Sequence, residues 1–274
     1  LFGLRLGGRL LRPLREKAGL GRMRMFVSGA AALPSGVFWG FTNLGITMVE
    51  GYGLTECAPV VAANEFHRTK PGNVGHPLPG VEIRVDEPDA EGNGEVIVRG
   101  PNVMLGYYDH PEATAEALRD GWFFTGDLGR ILPDGRLRIT GRVKNMIATA
   151  AGKKIYPEEV EYHLSNSPYI LEVVVAGGRD ARGEREEVHA HVFPDFKTLG
   201  DLARSQGLAF DEAFVDKVLH HEVDLRCHML APYKRVKRII VRRQEFPKTT
   251  TGKIRRQDLS AGTGAEKRTA SAVA

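Results

Sequence analysis

The sequence predicts an α/β part followed by a small α+β module, and three observations carry that reading. Val81-Glu82-Ile83-Arg84-Val85, the run from Gly94 to Gly100 and the run from Arg136 to Thr140 alternate apolar and polar residues with turn-rich stretches between them, as half-buried strands do. The apolar run Ile46 to Glu50 leads directly into Gly51-Tyr52-Gly53, where glycines at a strand's end free the backbone. Beyond Gly141-Arg142-Val143-Lys144-Asn145 the composition shifts to smaller, more charged elements, which marks a domain boundary.

A chain of 274 residues with 42% hydrophobic and 26% charged residues is globular and can bury a sizeable core. Its net charge of +4, from 38 basic and 34 acidic residues, suits anionic small ligands and gives no ground for nucleic acid as a partner. Cys57 and Cys227 make neither a disulfide framework nor a metal-ligand pair, so a reducing, cytoplasmic setting is expected. The chain starts at Leu1 and is expected to be a fragment or a processed piece. Met25 to Val49 holds no charged residue, but Gly29, Pro34, Gly36, Gly40 and Gly45 interrupt it, so no spanning helix and no signal peptide are expected.

In chain order, residues 1–24 place Leu10, Leu11, Leu14 and Ala18 at helical spacing between basic residues. Such a helix either lays its apolar stripe on the core or lies on an anionic membrane. Met25-Phe26-Val27 reads as a strand ending in Ser28-Gly29-Ala30, Gly36 to Asn43 as a helix and Ile46 to Glu50 as the next strand. After the meander of alternating strands, Asp109 to Arg119 reads as a helix, with Pro111 and Glu112 in its first turn. In the second part, a helix begins at Pro157, strands follow at Leu171 to Ala176 and Glu187 to Phe193, a helix spans Phe210 to Leu230 and a last strand spans Val236 to Val241. That makes two or three strands with two helices packed on one face.

The segments that carry chemistry each have a plain structural alternative. Tyr52 offers a ring, Thr55 a hydroxyl and Glu56 a carboxylate, a set that suits a base, a phosphate and a hard divalent cation, or else a tight turn with a buried tyrosine. Asp127, after the glycine of Trp122-Phe123-Phe124-Thr125-Gly126, is placed either to accept from a sugar diol or to close an Asx turn. Glu187, His189 and His191 share one strand face; without a fourth ligand, solvent-facing alternation is expected there. The basic run Lys234, Arg235, Lys237, Arg238, Arg242 and Arg243 reads as a solvated edge strand or an anion-facing surface. Thr251-Gly252-Lys253 is not a Walker loop, because the first glycine is missing and Ile254 replaces the hydroxyl residue.

The order Gly-Tyr-Gly-Leu-Thr-Glu (51–56), Trp-Phe-Phe-Thr-Gly-Asp (122–127), Gly-Arg-Val-Lys-Asn (141–145) and Pro-Lys-Thr-Thr-Thr-Gly-Lys (247–253) resembles the adenylate-forming acyl-CoA synthetase superfamily. Gly100 to Tyr108 and the Gly152-x-x-Ile-x-Pro-Glu-Glu-Val-Glu stretch add to the likeness, which covers roughly residues 20–258 and is most similar to bacterial long- or medium-chain fatty acyl-CoA ligases. The resemblance implies the C-terminal, β-rich part of the large AMP-binding domain over 1–141, a hinge over 142–146 and the small mobile domain over 147–259. Residues 260–274 are expected to be a disordered tail.

By the same resemblance, Gly29, Ala30 and Gly53 would line the nucleotide and acyl-carboxylate region, and Tyr52 would stack on adenine. Thr55 would contact phosphate and Glu56 would help hold magnesium. Asp127 would take the ribose hydroxyls with Arg142 supporting the nucleotide, and Lys144 would sit at the hinge. Gly152 would line the pantetheine path, and Lys253 would be the adenylation lysine, the two lying on opposite faces of the small domain. The implied substrates and cofactors are ATP, Mg2+, coenzyme A and a fatty acid. The family's upstream Ser/Thr/Gly-rich phosphate loop is not in these residues, so this chain alone is expected to be inert. Two other readings stand beside a CoA ligase: a ligase that loads a carrier protein, and a non-catalytic module with a basic surface.

Overall fold

A computed structural model describes residues 10–149, 152–180, 182–183, 186–250, 252, 254–256 and 259. The chain divides into two compact units, Leu1–Lys144 and Asn145–Ala274.

The first unit opens with α1 (Arg12–Lys17), a short helix with proline in its first turn that buries none of its residues. Leu10 and Leu14 are 75% and 54% exposed, so the expected apolar stripe does not pack on a core among the described residues. The charge-free stretch is not one helix; it folds into β1 (Met25–Ser28), α2 (Ser35–Asn43) and β2 (Thr47–Gly53). No helix among the described residues is long and apolar enough to cross a membrane. β1 and β2 pair in parallel, Met25 with Thr47 through Ser28 with Glu50, while the connecting α2 buries Phe38. β3 (Val60–Ala63) and β4 (His76–Pro77) extend this sheet in the order β1-β2-β3-β4.

β2 does not stop at Glu50 but runs through the glycines, with a register irregularity against β3 between Tyr52 and Gly53. The close approach explains the residue type: a Cβ on Gly53 would lie 1.8 Å from the Pro59 carbonyl oxygen.

A second sheet carries β5 (Glu82–Asp86) and β6 (Gly94–Arg99). α3 (Pro111–Ala117) leads into β7 (Leu118–Arg119), and β8 (Trp122–Ile131) and β9 (Leu137–Arg142) follow. Their order is β5-β6-β8-β7, with β9 on β8. Val61, Ala62, Val96, Val98, Phe123 and Leu137 form one buried cluster that joins residues of both sheets. Each of the valine, leucine and phenylalanine side chains contributes about 1.5–3 kcal/mol of burial. Asp127, expected to follow a turn at Gly126, instead lies within the ten-residue β8 that starts at Trp122. Its glycine, Gly126, sits at φ +69 inside the strand, and the ladder slips beside it. The aromatic and β-branched residues around that glycine sustain pairing through a local bulge.

The second unit begins with the β10 (Ile147–Ala148) and β11 (Lys154–Ile155) hairpin and continues into α4 (Pro157–Leu164). β12 (Ile170–Arg179), β13 (Glu186–Pro194) and β14 (Arg238–Val241) form one sheet in that order, β13 antiparallel to β12 and parallel to β14. Between them lie α5 (Phe196–Gln206) and α6 (Glu212–Cys227). Val188, Ala190 and Val192 of β13 join Val160, Leu164, Leu199, Leu219 and Val223 in the core, so the helices cover one face of the sheet.

Two expectations fail in this unit. His189 is 7% exposed rather than solvent-facing. Its ring lies over Gly178 of the neighbouring strand, where a Cβ would come within 2.0 Å of Nδ1. Burial and Arg238 lower its pKa, and burial, His189, Arg242 and Arg238 push that of His191 down to about 4. The basic run is not uniformly solvated either. Lys234 is 4% exposed with Nζ 3.0 Å from Glu159 Oε2, and Arg242 is buried with its guanidinium over the Phe246 ring.

Candidate functional site

The parallel pairing of β1 and β2 sets their carboxyl ends side by side, the place where parallel strands present ligands. Ser28-Gly29-Ala30 therefore lies along Glu50-Gly51-Tyr52. A Cβ on Gly29 would be 3.5 Å from the Gly51 carbonyl, and Ala30 takes a left-handed φ of +68 that turns the chain away from the strand. Beneath them Glu50 is 5% exposed. Burial raises its carboxyl to about 7, opposed by the backbone N–H groups of Leu33 and Gly72 that point at it. Asn64 binds the Glu50 carbonyl through its backbone N–H, at 2.9 Å, and reaches the Asn73 carbonyl with its amide, at 2.8 Å. Glu50 and Asn64 were not singled out from the sequence; a charged residue inside an apolar strand run is the signal that marks the first.

Tyr52 and Asp127 meet across the unit. The Tyr52 hydroxyl donates to Asp127 Oδ2 at 2.8 Å, and Arg142 Nε lies 3.0 Å from Asp127 Oδ1. Asp127 and Arg142 are cross-strand partners of β8 and β9, so the sheet itself holds the ion pair in register. Asp127 is 5% exposed while the Arg142 side chain is 48% exposed, which puts the carboxylate inside and the guanidinium at the surface. Thr125 fixes the approach: its hydroxyl donates to the Val96 carbonyl at 2.7 Å and accepts from the Asp127 N–H at 3.1 Å. Gly126 N–H is bound by Glu95. Burial and the neighbouring Asp127 raise the Tyr52 phenol well above the ordinary value, so it remains a donor.

From Gly53 the chain enters a single 3-10 turn, Thr55–Cys57, that ends at Ala58 in the left-handed region. Cys57 is buried in the core and its thiol is pushed up to about 11, which makes it an inert anchor. Thr55 is exposed and Glu56 half-buried at the turn's outer side. The Glu56 carboxylate accepts from the Tyr107 hydroxyl at 3.1 Å. Among the described residues no group of three or more His, Cys, Asp or Glu gathers to hold a metal. A single carboxylate beside a hydroxyl fits magnesium of the kind that keeps phosphate and water oxygens as its other ligands.

Gly29, Ala30, Tyr52, Gly53, Thr55, Glu56, Asp127 and Arg142 all belong to the first unit, and the structure places them along connected strand ends and turns. Lys144 lies in the exposed 3-10 turn Val143–Asn145 where the two units divide. Gly152 belongs to the second unit, exposed at φ +72 in the turn of the β10–β11 hairpin. Lys253 lies outside the described residues. The stretch that contains it is bracketed by a bridge between Lys248 and Ile254, with Arg255 N–H on the Pro247 carbonyl at 2.8 Å.

Residues 6–108 match the AMP-binding enzyme family. The chain is 39% identical over 267 residues to a long-chain-fatty-acid–CoA ligase of Bacillus subtilis, an alignment that takes 92% of this chain and 43% of that protein. It is 34% identical over 257 residues to an indoleacetate–CoA ligase of Aromatoleum aromaticum, covering 91% of this chain and 46% of the relative. The fold is similar to ATP-bound MatB from Rhodopseudomonas palustris, at TM-score 0.70 and 34% identity, with 89% of this chain and 46% of that one aligned. It is also similar to O-succinylbenzoate coenzyme A synthetase of Bacillus subtilis in complex with ATP and magnesium, at TM-score 0.70 and 26% identity, over 86% and 46% of the two chains. The chain thus spans less than half the length of these relatives.

Proposed function

We propose that this chain, which carries the sequence and fold of the C-terminal portion of the AMP-binding, adenylate-forming enzymes, supplies the nucleotide-holding wall and the small domain of an AMP-forming fatty acid–CoA ligase. The observation that carries the reading is the Tyr52–Asp127–Arg142 cluster in the family-matching unit, set beside the glycine-lined ends of β1 and β2. Asp127 is a buried acceptor held from two sides, suited to bind the two hydroxyls of a ribose. Tyr52 places an aromatic face next to it, and Gly29 lets the backbone approach a flat base, while Gly53 lets the Pro59 carbonyl close on β2.

In the reaction a carboxylate oxygen attacks the α-phosphorus of ATP, the bond to the bridging oxygen breaks, and pyrophosphate leaves an acyl-adenylate. The thiolate of coenzyme A then attacks the acyl carbon, and AMP leaves. Negative charge grows on phosphate oxygens in the first step, where fixed donors and cations act most strongly. Thr55 and Glu56, on the turn, would meet that charge, Glu56 as the carboxylate that would hold a phosphate-bound magnesium ion, whose contribution when bound would be charge neutralisation. By the family resemblance, Lys253 would supply an ammonium group for the first step, and Gly152, without a side chain, would leave room for the pantetheine arm. A hinge at Lys144 lets one small domain serve both steps. Two relatives named long-chain-fatty-acid–CoA ligases support a fatty acid as the carboxylate, and a cytoplasmic location with contact to membranes is proposed with it.

The test uses a protein in which this chain is joined to the N-terminal portion of its Bacillus subtilis relative. Lys253→Ala should abolish acyl-adenylate formation, measured by pyrophosphate exchange, and largely spare thioester formation from supplied acyl-adenylate. Equal loss in both half-reactions would sink the assignment of Lys253. Offering free coenzyme A against a phosphopantetheinylated carrier protein decides the acceptor, with preference for the carrier overturning the CoA ligase reading.

A further inference from the structure

The loop of residues 100–108 is mounted on the turn that carries Glu56 by a set of bonds that the proposed chemistry does not use. Asn102 Nδ2 donates to the carbonyls of Cys57 and Val60, each at 3.0 Å. Met104 N–H donates to the Glu56 carbonyl at 2.8 Å. Further along, Gly106 takes φ +152 against α3, where a Cβ would lie 2.8 Å from Thr114 Cγ2, so only glycine fits. Thr114 Oγ1 accepts from the Tyr107 N–H at 2.9 Å and donates to the His110 carbonyl at 2.9 Å. The backbone of Tyr107 is therefore fixed by a helix, and its phenol reaches Glu56 Oε1 at 3.1 Å.

We propose that Tyr107 is a positioning residue for the Glu56 carboxylate, holding Oε1 so that Oε2 faces a phosphate-bound divalent cation; this rests on the reading of Glu56 given above. The main chain of Glu56 is held by Met104 and its side chain by Tyr107, both from one loop, so the carboxylate is gripped at both ends of its flexible stem. An unrestrained glutamate loses side-chain freedom when it is fixed on a ligand. A carboxylate already oriented by a neutral donor has met part of that cost before the cation arrives. An ordinary phenol is protonated at neutral pH, so Tyr107 donates to the carboxylate as a neutral group. Outer partners of metal-binding groups are worth about 10–100-fold in metal affinity.

The experiment titrates the 274-residue chain with Mn2+ in the presence of ATP and counts free Mn2+ by electron paramagnetic resonance. Glu56→Gln is expected to weaken Mn2+ binding, and Tyr107→Phe, which keeps the ring, to weaken it about 10-fold. In the double variant, Tyr107→Phe should add no further loss, because its effect passes through the carboxylate. ATP binding in the presence of a chelator, and the thermal midpoint, should be the same in Tyr107→Phe as in the parent. If Glu56→Gln weakens Mn2+ binding and Tyr107→Phe does not, the positioning role falls and the cation reading stands. If Glu56→Gln changes nothing, the cation reading falls and the role of Tyr107 falls with it. A full additional loss in the double variant, or equal loss of metal-free ATP binding, also overturns the proposal.

Discussion

Arg256 and Glu161 close a ring around the peptide groups of Val175. Glu161 Oε1 accepts from the Val175 N–H at 2.6 Å, Arg256 Nη1 donates to the Val175 carbonyl at 3.2 Å, and the guanidinium and carboxylate pair with each other. The Val175 peptide groups face away from β13 here, on the side where β12 has no strand neighbour among the described residues, so the pair satisfies an edge that would otherwise need water. Glu158 meets the same guanidinium at 3.3 Å, which ties residue 256 to two turns of α4. The segment just after Lys253 is thereby fastened to the sheet and helix of its own unit.

Arg256→Ala should cost about 1–3 kcal/mol of stability, since both partners are partly exposed and a buried pair would cost more. Glu161→Gln should cost less, because the amide still accepts from Val175. Amide hydrogen exchange read at Val175 checks both: protection should fall in Arg256→Ala, and unchanged exchange would show that water replaces the pair without penalty.

Gly53→Ala should be damaging because the added methyl would enter the Pro59 carbonyl at 1.8 Å. The β2–β3 irregularity must open to admit it, at roughly 2 kcal/mol or more. Chemical denaturation measures the loss, with Gly80→Ala as the comparison. No heavy atom lies within 4 Å of a Cβ there, but its φ of +82 carries the ordinary backbone strain.

Glu50 should make stability fall as pH rises. Its folded-state pKa of about 7 lies above the ordinary 4.5, so between those values the folded chain holds a proton that the unfolded chain has released. The contribution is full below about 4.5 and lost by about 7, on the order of 1–3 kcal/mol. Glu50→Gln should flatten that part of the stability profile, and an unaltered slope would show the carboxyl is ionised throughout.

His191 works in the opposite sense. Its pKa, lowered from 6.5 to about 4, means that the folded chain keeps the ring neutral while the unfolded chain protonates it. Stability should therefore drop as pH falls from about 6.5 towards 4, and His191→Gln should remove that component. Ring nitrogen shifts in NMR spectra at pH 5.5 should report a neutral imidazole.

The elements with strong local patterns were legible in the sequence: β1, α2, β5, β6 and β9 lie within a residue or two of the runs that predict them. Boundaries moved where glycine was read as punctuation. Gly51, Gly53 and Gly126 lie within strands: the Pro59 carbonyl takes the place of a Cβ on Gly53, and Gly126 takes a φ of +69 at a bulge. α5 gave a signal that went unread, Asp195 capping the Thr198 N–H before Leu199 and Ala203, with Gly207 in the left-handed region at the far end. In the site, Tyr52, Asp127 and Arg142 stood out by residue type and order. Glu50, Asn64 and Tyr107 did not, because their roles depend on partners that only folding brings near: Tyr107 reaches Glu56 across 51 positions of sequence.

Tyr52 and Asp127 stand 75 residues apart in the chain and 2.8 Å apart in the fold. An unfolded chain offers no place where their two side chains act together, so a nucleotide held by both, as proposed, would recognise only the native state. Mass action then ties occupancy to persistence: at a hundredfold excess over its dissociation constant, such a ligand adds about 2.7 kcal/mol to the native chain. Loop closure across so long a separation is slow and comes late in folding.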